Sequence, residues 1–279
     1  MVVLFNSAVS VLGNIETYLR QVDVLYVVDN STVRDETIIA SLKQYTNVRY
    51  VGVGRNAGIA AALNIGARIA IEDGYGFLLT MDDDSRAAPD MVRRLRAFLS
   101  ARGDRNDIGI VSPYHFYTNY SVNTVHANDE VNTVITSGSL LNLRAFEKVG
   151  PFREELFIDY VDFEYCLRLQ THGYKIFRVG EALLFHTLGR LISHTILFKR
   201  VGATHHPAIR LYYRTRNRLY LYQTYLTRFP AFVLFDIVVF FNELIKIALY
   251  EPDKREKMKM IINGFGDFLA GKFGEYSEG

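Results

Sequence analysis

The chain has 279 residues, and 49% of them are apolar, so it is long and apolar enough to build a substantial folded core. Its formal net charge is only +2, which excludes a general polycation that binds nucleic acid through phosphate charge. The single cysteine, Cys166, excludes an internal disulfide, and its place in DFEYCLRL predicts a small buried helix residue.

The N-terminal half alternates strand-like and helix-like segments. The opening run, MVVLFNSAVS, has neither a basic stretch nor a long apolar stretch, so we expect a first strand and no signal peptide. Further apolar or β-branched runs follow in DVLYVVDNS, NVRYVGV, YGFLLTM and IGIVSP, with helical patterns in NAGIAAALNIGARIAIEDG and PDMVRRLRAFLSA. Strands that alternate with helices predict a mostly parallel α/β sheet flanked by helices.

Polar residues directly follow three of the predicted strands. They are Asn6, the segment 29–31 and the segment 82–84. Because ligands bind beyond the carboxyl ends of the strands in parallel α/β sheets, we expect these residues to meet at one crevice.

Three consecutive aspartates, Asp82, Asp83 and Asp84, end an apolar strand. Like charges at this spacing repel one another, so we expect a cation close to them. Side chains alternate along an extended segment, which predicts that the first and third carboxylates lie on the same side. Two such carboxylates suit Mg²⁺ or Mn²⁺, and a solvated acidic turn is the alternative interpretation.

The segment GRNAG opens the helical pattern that follows the third strand. Gly54 and Arg55 precede a helix that is predicted to begin near Asn56 or Ala57, and Gly58 allows close packing on the sheet. A helix N-terminus and an arginine are both able to hold an anion. The segment matches neither GxGxxG nor GxxxxGK, so it gives no support to a dinucleotide fold or a P-loop.

The alternation weakens after about residue 113. VNTVITSGSLLNLRAFEKVG predicts a strand, a Ser-Gly turn and a short helix, and FIDYVDFEYCLRLQTHG predicts a helix with an acidic first turn. Asp159 and Asp162 are expected to share one face of that helix. A carboxylate there suits a general base, although acidic residues at a helix start also complement the helix dipole.

Two further elements have both a structural and a functional interpretation. His186 ends the apolar run ALLFH, either as a structural residue or as a ligand. Arg216 and Asn217 lie in a basic and aromatic helix, whose polar face is either solvated or able to clamp phosphates.

The longest apolar stretch, residues 229–250, is long enough to span a bilayer. Asp236, Glu243 and Lys246 interrupt it, and ionisable groups are costly in lipid. We therefore expect an amphipathic helix that lies on a membrane or on a partner subunit.

Several of these segments occur together in a recognisable order. The set VVLFN, VVDNS, RNAGIAAALNIG, MDDDS, SGSLL, FIDYVDFEYCLR, a later histidine and YYRTRN resembles the inverting family 2 glycosyltransferases with the GT-A fold. The resemblance extends over nearly the whole chain. The segments DDDS, ELFIDYVDFEYCLR and NGFGDFLAGKFG resemble the bacterial rhamnosyltransferase branch, which uses dTDP-L-rhamnose.

The resemblance assigns a role to each matching residue. Contact with the nucleotide sugar is implied for Phe5, Asn6, Asp29, Asn30, Arg55, Asn56, Gly58, Asp82, Asp83, Arg216 and Asn217. A metal site is implied for Asp82, Asp84 and His186, the catalytic base for Asp162, and acceptor binding or support for Ser137, Gly138 and Asp159.

One position departs from the family pattern. Many members have Glu-Asp where this chain has Val161 and Asp162, so the acidic neighbour of the base is moved to Asp159. That spacing is usual in the rhamnosyltransferase-like branch, and it therefore favours this branch.

The resemblance also implies an organisation and an activity. Residues 1–225 are expected to form the GT-A domain, with a nucleotide-sugar half at 1–112 and an acceptor half at 113–225, and residues 226–279 a helical extension. The implied activity is inverting transfer of L-rhamnose to a hydroxyl of a glycan, lipid-linked glycan or glycolipid, in the synthesis of bacterial surface polysaccharide or glycolipid. The implied cofactor is Mg²⁺ or Mn²⁺. We expect a cytoplasmic protein in peripheral contact with the inner membrane, with no nucleic-acid partner, which is able to form a homo-oligomer.

Three alternatives to this activity are left open. The donor is another UDP- or dTDP-sugar; the chain is a nucleotidyltransferase; or it is an inactive carbohydrate-binding or membrane scaffold. A nucleotidyltransferase needs a phosphate loop rich in Gly and in Lys or Arg after the first strand, which LFNSAVSVLGN lacks. The presence of both Asp84 and Asp162 argues against an inactive scaffold.

Overall fold

The computed structural model describes residues 1–102, 105–117, 126–186, 191–196, 199–204 and 207–277. These residues form two compact units. The first unit consists of Met1–Glu154 and Val161–Thr187, and the second consists of Glu155–Tyr160 and Leu188–Gly279. The expected division of the chain at residue 225 stays a prediction.

The first unit contains a sheet that has nine strands within the described residues. They are β1 (Val2–Leu4), β2 (Leu25–Asp29), β3 (Val48–Gly52), β4 (Phe77–Asp82), β5 (Ser85–Ala87), β6 (Ile108–Tyr117), β7 (Asp129–Glu130), β8 (Ser139–Asn142) and β9 (Lys175–His186). Their order is β3-β2-β1-β4-β8-β6-β9-β5, and the short β7 pairs with β9.

One half of this sheet is parallel. β1 pairs in parallel with β2 and β4, and β2 pairs in parallel with β3. Beyond β4, the strand β8 runs antiparallel to both β4 and β6, while β6 and β9 are parallel to each other. The predicted α/β fold is confirmed, and the carboxyl ends of β1, β2 and β4 share one edge of the sheet.

Helices flank the sheet of the first unit. They are α1 (Val11–Leu19), α2 (Glu36–Leu42), α3 (Ile59–Glu72), α4 (Met91–Ala101), α5 (Leu143–Val149) and α6 (Val161–Thr171). Asp35 caps α2 by accepting the backbone N–H groups of Thr37 and Ile38. Asn142 caps α5 in the same way. These side chains replace hydrogen bonds that the first turn of a helix otherwise lacks.

Helix α3 begins later than its sequence pattern predicts. It starts at Ile59, whereas the start was expected near Asn56 or Ala57. Gly58 has a φ of +84°, which lies outside helical geometry, and its N–H donates to the side chain of Asn56 at 3.1 Å. The asparagine thus forms a turn that delays the helix.

The core of the first unit lies between the sheet and the helices α1 and α4. Val27, Met81 and Leu95 belong to this core and are fully buried. Cys166 of α6 is also buried, its thiol contacts the carbonyl oxygen of Val134 at 3.6 Å, and burial raises the pKa of that thiol. The prediction of a small buried helix residue is confirmed, and a raised pKa keeps the thiol unreactive.

The second unit is mostly helical. It contains the antiparallel pair β10 (Leu191–Ile196) and β11 (Lys199–Thr204), and the helices α7 (Ala208–Tyr225), α8 (Pro230–Tyr250) and α9 (Lys254–Leu269). Leu211, Ile247 and Ile261 join the three helices in one apolar cluster. The predicted helical C-terminal region is confirmed. Among the helices described, none is long and apolar enough to cross a membrane.

Candidate active site

The ends of three parallel strands place polar residues side by side in the first unit. β1 lies between β2 and β4, with Leu4 in register with Asp29 and Val3 in register with Asp82. Because the strands run in the same direction, the residues that follow them emerge at one edge. The predicted meeting of the strand ends is therefore confirmed at the level of the backbone.

Phe5 and Asn6 follow β1 at this edge. The side chain of Phe5 is 46% exposed, so its ring is accessible for stacking on a ligand. Asn6 adopts a left-handed φ of +50°, and its backbone N–H donates to Ser31 Oγ at 2.8 Å. This bond ties the residues after β1 to those after β2.

Asp29, the last residue of β2, is buried and held on both carboxylate oxygens. Oδ1 accepts the backbone N–H of Ser31 at 3.0 Å, and Oδ2 accepts the hydroxyl of Tyr50 at 2.6 Å. Burial raises the pKa of Tyr50, and the hydrogen bond with Asp29 raises it further. The phenol therefore stays protonated and fixes the carboxylate.

Asn30 and Asn56 connect the end of β2 to the start of α3. The Asn30 amide donates to Asn56 Oδ1 at 3.1 Å, and Asn30 Oδ1 accepts the backbone N–H of Ala57 at 2.9 Å. Arg55 directly precedes Asn56 in this loop, and its side chain is exposed. The structure thus brings four of the predicted nucleotide-binding residues, Asn30, Arg55, Asn56 and Gly58, to the loop beside Asp29.

The three aspartates form a tight turn instead of an extended segment. β4 ends at Asp82, and Asp83 and Asp84 form the turn that leads into β5. The expected extended geometry of the three aspartates is therefore wrong, because strand alternation ends at Asp82, and a shared side for the Asp82 and Asp84 carboxylates stays a prediction. Asp82 and Asp83 are half-buried, whereas Asp84 is exposed.

Asp83 is held by residues at the start of the chain. The hydroxyl of Ser7 donates to its carboxylate, and the Asn14 amide donates to its backbone oxygen at 2.7 Å. Burial raises the pKa of the Asp83 carboxyl, the Ser7 hydrogen bond opposes this shift, and the charge of Asp84 adds to it. Negative charge is thus concentrated at the end of β4 at a cost in free energy.

Ser137 and Gly138 support the same strand end. Ser137 Oγ accepts the backbone N–H of Asp82 at 3.1 Å and donates to Ser85 Oγ at 2.8 Å. Gly138 has a φ of +78°, and its N–H donates to the Thr80 carbonyl at 2.7 Å. Their contacts here are with the acidic turn and its strand, which agrees with the support role that the resemblance gave them.

The donor set of the acidic turn fits a hard divalent cation. In the part of the chain that the structure describes, no group of three or more His, Cys, Asp or Glu side chains is placed to hold a metal ion. Mg²⁺ is usually held by one or two carboxylates together with phosphate oxygens of a substrate, so the pair Asp82 and Asp84 is sufficient. The backbone of His186 pairs with Ser85. Its side chain lies outside the described residues, and its role as a ligand stays a prediction.

Asp162 is the second residue of α6, also in the first unit. It lines a small cavity of about 10 Å³ together with Thr80 and Tyr165. Since Thr80 lies two residues before Asp82 on β4, the predicted base is placed beside the strand that ends in the acidic turn. Its Oδ1 accepts the backbone N–H of Phe163 at 2.9 Å.

Asp159 does not share a helix face with Asp162, and that expectation is wrong. α6 begins at Val161, and Asp159 precedes it with a left-handed φ of +62°. Within the second unit, its two carboxylate oxygens accept Nε and Nη2 of Arg210, both at 2.6 Å. Such a bidentate pair is typical of a structural contact.

Arg216 is fully buried in the second unit. Its guanidinium donates to the carbonyl oxygens of Gly274 at 2.8 Å, Glu155 at 3.3 Å and Leu156 at 3.2 Å. It also donates to Asn217 Oδ1 at 3.1 Å. Three of the hydrogen bonds of this guanidinium are thus to backbone oxygens, and the others are to the side chains of Asn217 and Tyr212.

Asn217 makes the same kind of contact and is also fully buried. Its amide donates to the carbonyl oxygens of Leu156, Ile158 and Asp159 at 2.8, 2.8 and 2.9 Å. The segment 155–160 needs such support because three of its non-glycine residues have left-handed φ angles, namely Phe157, Asp159 and Tyr160. This placement favours support of the segment over the predicted contact of Arg216 and Asn217 with a nucleotide.

Three residues of the site were missed by the sequence analysis: Ser7, Asn14 and Tyr50. Tyr50 is found only through the strand register, in which it pairs with Val27, two residues before Asp29, on the same face of the sheet. Ser7 and Asn14 reach Asp83 through the turn and the first helix, and no local pattern indicates that contact.

Comparison with known proteins adds two findings at the level of sequence. The model of a family described as Glycosyl transferase family 2 matches residues 1–150. The dTDP-rhamnosyl transferase RfbF of Shigella flexneri is 28% identical over 240 residues, which cover 79% of this chain and 78% of that protein.

Solved structures are similar over almost the whole chain. S. aureus TarS 1-349 in complex with UDP-GlcNAc has a TM-score of 0.63 at 15% identity, covering 97% of this chain and 80% of that one. GalNAc-T7 with UDP, GalNAc and Mn²⁺ has a TM-score of 0.59 at 13% identity, covering 96% of this chain and 55% of that one. At these identities the similarity concerns the fold alone, and it confirms the predicted GT-A type.

Proposed function

Because this chain belongs to glycosyl transferase family 2, we propose that it is a metal-dependent inverting transferase that moves L-rhamnose from dTDP-L-rhamnose to an acceptor hydroxyl. The acceptor class is a glycan, a lipid-linked glycan or a glycolipid. The observation on which the proposal rests is the register that sets Asp29 and Asp82 on either side of β1. The similarity to a dTDP-rhamnosyl transferase over 79% of the chain supports the choice of donor.

The pyrimidine end of the donor fits the side of the site near β2. Asp29 is fixed by Tyr50 and Ser31, so its carboxylate is held ready for a hydrogen bond from the base. Phe5 is exposed beside it and offers a face for stacking. A thymine and a uracil share the N–H that such a carboxylate accepts, so these contacts select the pyrimidine class.

The diphosphate end fits the acidic turn. Asp82 and Asp84 would hold a divalent metal, Mg²⁺ or Mn²⁺, and His186 is the further predicted ligand. When bound, the metal acts as a Lewis acid that offsets the negative charge growing on the leaving diphosphate. Arg55, which is exposed in the loop beside Asp29, adds a positive charge to the same edge of the sheet.

Asp162 is the proposed general base. It takes the proton from the acceptor hydroxyl, whose oxygen forms a bond to C1 of the sugar on the face opposite the diphosphate. The bond from C1 to the diphosphate oxygen breaks, and the electron pair leaves with dTDP. One displacement inverts the anomeric centre, so no covalent enzyme intermediate is needed.

We place the reaction at the cytoplasmic side, where nucleotide sugars are available, in peripheral contact with the inner membrane. An acceptor with a lipid anchor presents its hydroxyl at that surface, so contact with the membrane would bring the site to it.

A donor panel tests the proposal. Release of nucleoside diphosphate is measured with Mn²⁺ for dTDP-L-rhamnose, dTDP-glucose, UDP-GlcNAc and dTTP, alongside the thermal shift that each compound produces. We expect dTDP-L-rhamnose to give the largest shift and the fastest release. Faster turnover of UDP-GlcNAc would assign another donor, and pyrophosphate release from dTTP would indicate a nucleotidyltransferase.

A further inference from the structure

Helix α8 has its charged face turned into the protein. Asp236 is buried and accepts Nε of Arg218 at 2.8 Å, the hydroxyl of Tyr160 at 2.8 Å and the hydroxyl of Tyr222 at 2.7 Å. All four residues belong to the second unit. The aspartate that interrupts the apolar stretch is therefore neutralised inside the protein.

Glu243 of α8 also forms ion pairs with arginines of α7. Its carboxylate lies 2.7 Å from Nη1 of Arg214 and 3.4 Å from Nη1 of Arg218. Both arginines lie on α7, so α8 packs its acidic residues on α7. An ordinary surface helix leaves its charges in water, whereas α8 turns Asp236 and Glu243 inward together with Val233 and Ile247.

The outer faces of α8 and α9 are apolar as a consequence. The exposed large apolar residues of these helices are Leu234, Phe235, Val238, Phe241, Ile245, Leu249, Met258, Ile262, Phe265 and Leu269, which are between 42% and 70% exposed. Most follow one another at intervals of three or four positions, so each helix presents a stripe. We call these ten residues the apolar face. Rows of exposed large apolar side chains of this kind mark an interaction site.

A basic hollow adjoins the apolar face at the start of α9. It has a volume of about 450 Å³ and is lined by Lys254, Arg255, Met258, Lys259, Ile262 and Asn263. Three cations thus lie beside two apolar side chains, and no carboxylate belongs to this lining. The combination matches the boundary of a bilayer, where lipid phosphates lie directly above acyl chains.

We propose that the apolar face and the basic hollow together form a docking surface for an anionic lipid bilayer, with α8 and α9 lying in its plane. This docking rests on the peripheral membrane location given under the proposed function, and it is independent of the identity of the sugar donor and of the transfer reaction. Apolar side chains enter the acyl boundary, while Lys254, Arg255 and Lys259 meet phosphate groups.

The charges favour a lipid surface over a second copy of the chain. A two-fold interface brings the same patch of two copies together, so the three cations of one hollow would lie in the same interface as the three cations of the other copy and would repel them. The lining of the hollow offers no carboxylate to match them, whereas an anionic bilayer does.

Co-sedimentation of the full chain with vesicles tests this proposal. Vesicles of phosphatidylcholine alone are compared with vesicles that also contain phosphatidylglycerol, at low and at high salt. We expect binding only to the anionic vesicles, and weaker binding at high salt because salt screens the contact. Equal binding to both vesicle types, or none to the anionic ones, would overturn the proposal.

Two double variants separate the apolar contribution from the charged one. F235Q/F241Q is expected to weaken binding by about tenfold or more through lost apolar burial. R255E/K259E is expected to weaken it by about 30-fold or more, since each cation near an anionic surface contributes about fivefold; Lys254 is left unaltered because its ammonium group also donates to the carbonyl oxygen of Ala248 at the end of α8. Val33→Gln and Lys43→Glu, at exposed positions of the first unit, are the matched controls and should bind as the unaltered chain does.

Two further measurements show whether a loss of vesicle binding comes from misfolding or from a wrongly assigned donor. Melting temperature and hydrolysis of free dTDP-L-rhamnose should be the same in both double variants and the unaltered chain. Sedimentation velocity detects the rival occupant: a dimer that F235Q/F241Q dissociates, in a chain that ignores anionic vesicles, would overturn the lipid proposal and assign the face to a second copy.

Discussion

Two groups of acidic residues interrupt apolar sequence in this chain, and the structure treats them differently. At the end of β4, the described contacts of Asp83 are with the hydroxyl of Ser7 and the amide of Asn14. On α8, Asp236 and Glu243 are matched by arginines of α7. The Ser7 hydroxyl holds the Asp83 carboxylate without cancelling its charge, and the Asn14 amide holds only the backbone oxygen, whereas the buried guanidinium groups cancel the charges on α8. The first group is therefore suited to an incoming cation, and the second to holding helices together.

The largest effect is expected at Asp162, the proposed base, which is not one of the two carboxylates paired with arginines of α7. Asp162→Asn should lower turnover by about 10²–10⁴, the usual contribution of a general base, while the affinity for dTDP stays unchanged. Single-turnover kinetics and dTDP titration measure the two quantities. The control is Asp159→Asn, which removes the partner of Arg210 and should affect stability more than turnover. If Asp159→Asn reduces turnover more than Asp162→Asn does, the base is wrongly assigned.

The next effect concerns the arginine-matched group. Asp236→Asn removes the nearer of the two carboxylates beside the buried Arg218 and leaves only Glu243 at 3.4 Å, so we expect the free energy of unfolding to fall by about 3–5 kcal/mol. Chemical denaturation measures this change. Glu256→Gln, at an exposed position of α9, is the control and should change stability by less than about 0.5 kcal/mol. Equal stability of the two variants would mean that the buried pair does not hold α8 to α7.

Arg216→Lys tests whether a buried arginine of α7 that binds backbone oxygens also stabilises the second unit. Lysine cannot reproduce the fork of donors that Arg216 gives to Glu155, Leu156 and Gly274, so the free energy of unfolding should fall by about 1–3 kcal/mol. Arg255→Lys, which keeps an exposed cation on α9, is the control. An unchanged melting temperature together with weaker dTDP binding would instead support the contact with the diphosphate that the resemblance implies.

The smallest expected effect is a stabilisation at the acidic turn. The pKa of Asp83 is raised by burial, so the folded state disfavours the ionised carboxyl and loses stability as the pH rises through the folded pKa. Asp83→Asn removes that cost and should raise stability at pH 7, with a smaller gain near pH 4. Melting curves at the two pH values measure the difference. A gain that is larger near pH 4 would mean that the shift has the opposite sign.

Much of the first unit could be predicted from sequence, because its signals are local. Apolar runs that end in polar residues indicated β1, β2 and β4, and the parallel rule brought their ends together. The errors came from backbone conformations that side-chain types do not indicate. Left-handed φ angles at non-glycine residues separated Asp159 from α6, and a tight turn ended the strand alternation at Asp82.

The second unit was less predictable because its contacts link distant positions. Nothing in the local sequence of α8 indicates that Asp236 and Glu243 face arginines of α7. The charges of residues 229–250 predicted an amphipathic helix that lies on a membrane or on a partner subunit, but they did not indicate the pairing with α7. The arginine pairs fix which side of the helix faces α7 and leave many of its large apolar side chains exposed.

The most direct test of the central claim compares Asp84→Asn with Asp236→Asn by two measurements on each variant: Mn²⁺-dependent affinity for dTDP and melting temperature. We expect Asp84→Asn to lose about tenfold or more in Mn²⁺-dependent affinity while it keeps its melting temperature. Asp236→Asn should show the opposite pattern, with a lower melting temperature and unchanged affinity below that temperature. Unchanged Mn²⁺-dependent affinity in Asp84→Asn would contradict the claim that the acidic turn holds the metal and the donor.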